Sequence, residues 1–121
     1  MIQCVPHERA VTSKTVTAGD AAMPKGEASD PRFPTVLVLE GLSQTAALLF
    51  RLTYGPASLE RPPLLGYLQA RLRGGARPGD TLVYTVTAIK MTSRRGVFSG
   101  IARVGSGVIA STELAFGVSA P

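Results

Sequence analysis

The hydrophobic residues are most concentrated in one stretch of the chain, residues 36–52, which reads VLVLEGLSQTAALLFRL. Its apolar side chains fall on every side of a helix instead of forming one stripe, and such a helix has to be enclosed by the rest of its domain. Thr35, just after Pro34, is the expected N-cap of this helix, and Gly55 followed by a proline is expected to end it. The pattern therefore predicts one long helix at the centre of the fold.

Elsewhere, hydrophobic residues alternate with polar ones, which is typical of strands with one face on a core. In residues 81–90 the apolar face carries Leu82, Tyr84, Val86 and Ala88, and the other face is more polar. Residues 18–35 and 56–63 are expected to be loops because they are rich in proline and small residues. The predicted strands are 2–5, 9–17, 64–73, 81–91, 96–104 and 107–118, with turns at 77–80, 92–95 and 105–107.

These elements follow one another as two strands, the buried helix and then four strands in a meander. One helix wrapped by a curved antiparallel sheet is an α+β architecture, and the length of the chain fits a single domain, residues 1–121. A single sheet cannot cover every side of the helix or its own edges. We therefore expect two chains to pair as a homodimer, or to assemble further from such dimers.

Composition narrows the expected environment of the protein. Cys4 is the single cysteine, so no disulfide forms within the chain, and no charged segment followed by an apolar one marks secretion. We expect a cytoplasmic protein without a membrane span, because residues 36–52 are shorter than the roughly 20 apolar residues that cross a bilayer and include Glu40, Gln44 and Arg51. With one His and one Cys, we expect no metal site and no cofactor.

The formal net charge of +5 indicates an anionic partner. We do not expect nucleic acid, since the 13 Lys and Arg residues are scattered and accompany only 4 Phe and 3 Tyr, with no Trp. The phosphate-bearing arm of coenzyme A and an acidic carrier protein both fit this charge. Five arginines either gather at one rim of the sheet to meet such a partner or form an ordinary solvated face: Arg71, Arg73, Arg77, Arg94 and Arg95.

The side chains of Glu40, Ser43 and Gln44 interrupt the apolar helix, and their spacings of three and four place them on one face. A carboxylate inside a core is costly unless it is paired, hydrogen-bonded or protonated. Glu40 is therefore a candidate site residue. The alternative is that this face looks out at solvent or at a subunit contact.

Four segments, taken in order, match a known pattern over nearly the whole chain. They are VPHERAVTSKTVT; PRFPTVLVLEGLSQTAALL against MPG-hydrophobic-E-A-x-x-Q; LRGGARPGDTL against RxPVxPGDxL; and FSGIARVGSGVIASTELAF. In these segments the chain resembles the hotdog fold, and within it the β-hydroxyacyl-acyl-carrier-protein dehydratases of fatty-acid synthesis. The resemblance implies a substrate that is an acyl thioester, carried by an acyl carrier protein or by coenzyme A.

In that family a loop His and a helix Glu from opposite subunits work as a pair on the substrate. Glu40 stands at the position of the family Glu and is the expected catalytic residue, and Gln44 stands at the position of the helix Gln. Counting back from Glu40 without gaps places Gly26 where the family has its His, and the one His of the chain, His7, falls in a turn between strands. The expected substrate-binding residues are Gln44, Ser43, Phe33 and Gly26.

Three functions in lipid metabolism stay open at this point. The first is dehydration of a β-hydroxyacyl thioester without the paired His. The second is a thioesterase that uses Glu40 to orient or activate water, and the third is a degenerate subunit that binds acyl chains or assists a complete partner. In each case an acyl tunnel is expected between helix and sheet at the dimer interface, lined by residues such as Leu37, Phe33, Leu68 and Phe98.

Overall fold

The computed structural model describes residues 3–17, 33–55 and 63–118. One long helix packs against an antiparallel sheet of six strands, which confirms the predicted α+β architecture. The helix is α1 (Thr35–Tyr54). The strands are β1 (Gln3–Val5), β2 (Arg9–Thr15), β3 (Leu64–Leu72), β4 (Thr81–Met91), β5 (Arg95–Val104) and β6 (Gly107–Gly117).

The strand order in the sheet is β1-β2-β4-β5-β6-β3, so the predicted meander of four strands is wrong for β3. β4, β5 and β6 are neighbours in sequence and in space, whereas β3 pairs with β6 at the far edge. Segment 73–80 then crosses the end of the sheet. Its start bonds to β6, where the backbone N–H groups of Arg73 and Gly74 donate to the Ile109 carbonyl at 2.8 and 3.2 Å. Its end bonds beyond β2, where the Gly79 N–H donates to the Val16 carbonyl at 2.8 Å.

The core lies between α1 and one face of the sheet. Leu82, Tyr84 and Val86 are buried on the inner face of β4, as the alternation predicts. Where α1 crosses β5, Gly100 allows close approach: an added Cβ would lie 3.0 Å from Leu42 Cδ2. The buried helix residues recur every three or four positions, as one face of a helix requires; they are Val38, Leu42, Thr45, Ala46, Leu49 and Phe50.

The helix ends differ slightly from the prediction. Pro34 is the N-cap and Thr35 is already helical, so the predicted N-cap at Thr35 is wrong; the Leu37 N–H donates to the Pro34 carbonyl at 3.0 Å. At the other end Gly55 adopts φ 100° and donates its N–H to the Arg51 carbonyl at 2.8 Å. A left-handed residue at this position is the usual role of glycine.

Within the described part of the chain, α1 is the helix whose length and hydropathy would suffice for a membrane span. At 20 residues and a mean hydropathy of 1.3, it is longer than the stretch on which the sequence prediction relied. Length therefore does not argue against a span. The central helix of a folded domain meets the same criterion, and α1 packs its buried residues onto its own sheet.

Candidate functional site

A cavity of about 610 Å³ lies between α1, β2 and β4. This volume is typical of small-molecule sites in proteins. Aromatic and aliphatic side chains, hydroxyls, an amide, a carboxylate and an ammonium group all reach its wall. The lining residues are Thr12, Ser13 and Lys14 of β2; Leu37, Glu40, Gly41, Gln44, Thr45 and Leu48 of α1; Tyr84 of β4; and Phe33, just before the helix.

Glu40 lines this cavity from the open side of α1 and is exposed, so the single chain shows the second alternative, an outward-looking face, and not a carboxylate inside the core. The helix is not enclosed all round, because the sheet covers one side and leaves the side that carries Glu40 and Gln44 open. One turn further on, the Gln44 Nε2 donates to the Glu40 Oε1 at 3.3 Å. The contact fixes the two residues relative to each other on the same wall.

Of the other predicted site residues, one lines the cavity and one does not. Phe33 lines the cavity and is buried, and Lys14 Nζ lies 5.6 Å from the centroid of its ring. Ser43 is absent from the lining, and its hydroxyl donates to the Leu39 carbonyl at 3.1 Å. A helical serine that bonds one turn back is turned toward its own backbone. Gly26 lies outside the described residues.

Two of the four expected tunnel residues are elsewhere. Leu37 and Phe33 line the cavity, but Phe98 is fully buried in the core, where its ring stacks on Phe116 with centroids 5.1 Å apart. Leu68 lies on β3, the edge strand on the far side of the sheet from β1 and β2. Because the tunnel is expected at a dimer interface, Leu68 on this edge strand stays a prediction, whereas Phe98 belongs to the core of the single chain.

The five arginines do not gather at one rim. Arg71 pairs with Ser111 and Arg95 pairs with Gly117, six positions apart on β6, or roughly 20 Å at the rise of a strand. Arg94 neighbours Arg95, whereas Arg73 and Arg77 follow the end of β3 that carries Arg71. The antiparallel pairing of β3 with β6 separates the two groups. Lys14 is the cationic residue in the cavity lining.

His7 and Cys4 lie away from the cavity lining. His7 occupies the turn between β1 and β2 with φ 69°, and its ring meets Tyr54 edge-on at 5.8 Å. Its backbone N–H donates to the Thr53 Oγ1 at 3.0 Å. Cys4 is half-buried against the core, and burial raises the pKa of its thiol, which keeps it protonated and unreactive. The contacts of both residues indicate a structural role.

Tyr84 is the lining residue that the sequence did not single out. The alternation in β4 correctly predicted that its side chain lies on the core face. It gave no indication that the same side chain also lines a cavity. The phenol reaches the cavity beside Gly41, which stands where the family motif has alanine. The sequence signal that could have identified Tyr84 was a tyrosine on an apolar strand face, because a buried tyrosine hydroxyl usually has a hydrogen-bond partner.

A chain of two hydroxyls ties the cavity wall together. The Thr45 Oγ1 donates to the Gly41 carbonyl at 2.7 Å, so the hydrogen that joins Thr45 to Thr12, at 2.8 Å between Oγ1 atoms, comes from Thr12. Each hydroxyl carries one proton and accepts through lone pairs. This contact links α1 directly to β2 across the cavity floor.

Replacing Thr45 by valine keeps the shape of this side chain and removes the acceptor of the Thr12 hydroxyl. We expect the free energy of unfolding to fall by about 1–2 kcal/mol, as for other lost hydrogen bonds at buried groups. Urea denaturation measures this change. Thr87→Val, at an exposed position of β4, is the control and should change stability by less than about 0.5 kcal/mol. An equal loss in both variants would contradict the role of the Thr12–Thr45 contact.

Comparison with known proteins first gives the class of the fold. No family model matches the chain. The Streptococcus mutans protein smu.793, solved with acetyl-CoA, superimposes with a TM-score of 0.77 at 11% identity, over 98% of this chain and 86% of that one. A hypothetical thioesterase from Streptococcus pneumoniae, solved with coenzyme A, gives a TM-score of 0.72 at 8% identity, over 94% and 83%. The chain has the hotdog fold.

Relatives found by sequence identify the family of the chain more specifically than the fold does. The 3-hydroxyacyl-[acyl-carrier-protein] dehydratase FabZ of Enterococcus faecalis is 31% identical over 115 residues, which cover 94% of this chain and 80% of the relative. FabZ of Thermotoga neapolitana is 34% identical over 112 residues, which cover 92% and 78%. The chain belongs to the FabZ family of 3-hydroxyacyl-[acyl-carrier-protein] dehydratases.

Proposed function

We propose that the protein dehydrates a 3-hydroxyacyl thioester, with Glu40 as the catalytic acid and base. The observation that carries the proposal is the position of the family glutamate, which lines a cavity of about 610 Å³ in a chain that belongs to the FabZ family. Phe33, Leu37 and Leu48 give the same cavity an apolar wall, which suits an acyl chain. An acidic group beside an apolar slot is the arrangement that this chemistry needs.

Elimination of water requires a base at C2 and an acid at the 3-hydroxyl. In the proposed step the Glu40 carboxylate takes the C2 proton, and the C–H electron pair moves toward the thioester carbonyl oxygen as an enolate. The enolate then re-forms the carbonyl as the C2–C3 double bond forms and the C3–O bond breaks. Glu40 then returns the proton to the departing hydroxyl, so that water and an enoyl thioester leave and the carboxylate is restored. One carboxyl performs both transfers because Gly26 stands where the family has its His. Gln44 holds the carboxylate through the Glu40 Oε1.

The proposed substrate carrier is anionic, either an acyl carrier protein or coenzyme A. Lys14 at the cavity wall and the net charge of +5 support this assignment, since both attract a phosphate-bearing arm. We also infer a cytoplasmic location, because α1 packs its buried apolar face onto the core of its own domain.

The direct test offers the purified protein a 3-hydroxyacyl thioester, on coenzyme A and on acyl carrier protein, and follows enoyl product and free thiol in the same reaction. Enoyl product without thiol is the expected result. Thiol release without enoyl product would assign the protein to the thioesterases and overturn the proposal. Silence with both carriers, followed by activity on mixing with a complete FabZ, would mean a partner-dependent subunit.

We infer that the working form is a homodimer that joins through β3. This strand is the sheet edge opposite β1, and it leaves apolar side chains open: Leu64 is 69% exposed, Leu65 58% and Leu72 51%. An exposed apolar edge strand is a ready template for pairing with another chain. A second copy would cover these side chains.

Leu72→Lys is expected to raise the dimer dissociation constant at least about tenfold, because a charge would be buried at the paired edge. Sedimentation velocity over a range of protein concentrations measures this. Ile89→Lys, at a residue 57% exposed on β4, is the matched control and should leave the dimer intact. A wild-type protein that sediments as a monomer throughout would overturn the assignment.

A further inference from the structure

One buried polar group in the cavity has no part in the function proposed above. Tyr84 is 4% exposed, and its hydroxyl has no hydrogen-bond partner among residues 3–17, 33–55 and 63–118. Leaving a buried hydroxyl without a partner costs about 1–3 kcal/mol. A phenylalanine would fill the same space on this apolar face without that cost. The hydroxyl therefore calls for a partner that the described residues do not supply.

Gly41 fixes where the hydroxyl lies. A Cβ added to Gly41 would be 2.4 Å from the Tyr84 Cζ and 2.6 Å from its Oη, closer than real Cβ atoms approach other atoms. The end of the phenol thus occupies the space of a missing side chain, against the helix backbone at the residue that follows Glu40. Tyr84 and Glu40 line the same cavity, with the buried hydroxyl against Gly41 at its wall.

Three other groups on this wall donate to protein acceptors. The Thr45 hydroxyl donates to the Gly41 carbonyl, the Thr12 hydroxyl donates to Thr45, and the Gln44 amide donates to Glu40. Burial raises the pKa of the Tyr84 phenol, so the group stays neutral and keeps its proton. A neutral, buried phenol is suited to donate to an oxygen that gains negative charge.

We propose that the Tyr84 hydroxyl donates a hydrogen bond to the carbonyl oxygen of the bound acyl thioester. This inference rests on the proposed function, because it takes an acyl thioester as the occupant of the cavity. When Glu40 removes the C2 proton, electron density moves onto that oxygen, and the Tyr84 hydrogen bond stabilises it. No proton leaves the phenol in this step. Tyr84 is thus an electrostatic partner to Glu40.

Tyr84→Phe tests the contact through binding, which does not depend on turnover. The probes are a saturated acyl-CoA thioester and the matching thioether, in which a methylene replaces the carbonyl. We expect calorimetry to show about three- to tenfold weaker binding of the thioester to Tyr84→Phe and unchanged binding of the thioether, as loss of one hydrogen bond to the carbonyl predicts. Tyr54→Phe, at the end of α1, is the control and should bind both probes like the wild type.

Turnover of the 3-hydroxyacyl thioester gives the second measurement. Removal of a donor to a developing oxyanion should lower kcat about 100-fold or more, with a smaller change in KM. Denaturation of Tyr84→Phe should show unchanged or greater stability, because the variant removes a buried unpaired hydroxyl. A merely structural tyrosine would lose stability when replaced by phenylalanine and leave kcat near the wild-type value.

The outcomes separate the two proposals. Equal binding of the thioester by wild type and Tyr84→Phe, or equal weakening with both probes, would overturn the Tyr84 contact even if the wild type dehydrates. A wild type that binds the thioester through Tyr84 but forms no enoyl product would overturn the dehydratase function and support the contact. Binding of neither probe by a wild type that also forms no enoyl product on either carrier would overturn both.

Discussion

Glu40→Gln is expected to lower kcat for dehydration by about 10²–10⁴-fold, the usual contribution of a general acid or base. The amide has the size of the carboxyl but cannot take the C2 proton. The fold should be unaffected, because Glu40 is exposed on α1 and its side-chain contact is the hydrogen bond from Gln44. Enoyl formation under substrate saturation measures the loss, and urea denaturation verifies that the free energy of unfolding stays within about 0.5 kcal/mol of wild type.

Glu113→Gln provides the matched control for this substitution. Glu113 is exposed on β6, away from the cavity lining, so the same chemical change there should leave kcat unaltered. Full turnover by Glu40→Gln would remove Glu40 from the mechanism. A parallel loss in both variants would point to an effect of net charge on the anionic substrate instead.

Phe50→Ala is expected to reduce the free energy of unfolding by about 3–5 kcal/mol, the range for large-to-small aromatic changes in cores. Phe50 is fully buried on α1, with its ring centroid 5.0 Å from that of Tyr54 and 5.4 Å from that of Phe116. Phe116 stacks in turn on Phe98. This aromatic cluster holds the C-terminal half of the helix on β5 and β6. The loss is a large share of the stability of a single domain.

Chemical denaturation with both urea and guanidinium chloride measures this loss, and Val36→Ala on the same helix is the control. Val36 is 69% exposed, so its truncation removes little buried surface and should cost less than about 0.5 kcal/mol. A loss below about 1 kcal/mol for Phe50→Ala would show that the cluster does not hold the helix on the sheet.

The alternation of apolar and polar residues predicted the strands to within a few residues. It also placed Leu82, Tyr84 and Val86 on the core face of β4, as found. This succeeded because period-two alternation is a local property of a strand with one buried face. The pairing of β3 with β6 in place of β4 is not local. It depends on segment 73–80, which crosses the end of the sheet and bonds to both sides.

In the candidate site, too, local features were predicted from the sequence and contacts between distant residues were not. The four-residue spacing of Glu40 and Gln44 predicted that they would share one wall, because helical geometry fixes the neighbours on a helix face. Their exposure stayed one of two alternatives, since an apolar sequence does not tell which side of a helix the sheet leaves open. Tyr84 joins the cavity because β4 brings it under Gly41, a contact between residues far apart in the chain.

By itself the sequence determined the elements, their inward faces, the single central helix and the acid on it. All of these follow from the periodicity of residues that are close together in the chain. The tertiary structure decided that β3 lies at an edge, that Arg71 and Arg95 lie at opposite ends of the sheet, and that a phenol meets a glycine beside Glu40. The physical reason is that strand order and helix–sheet contact depend on which distant surfaces pack together, and no local pattern records that choice.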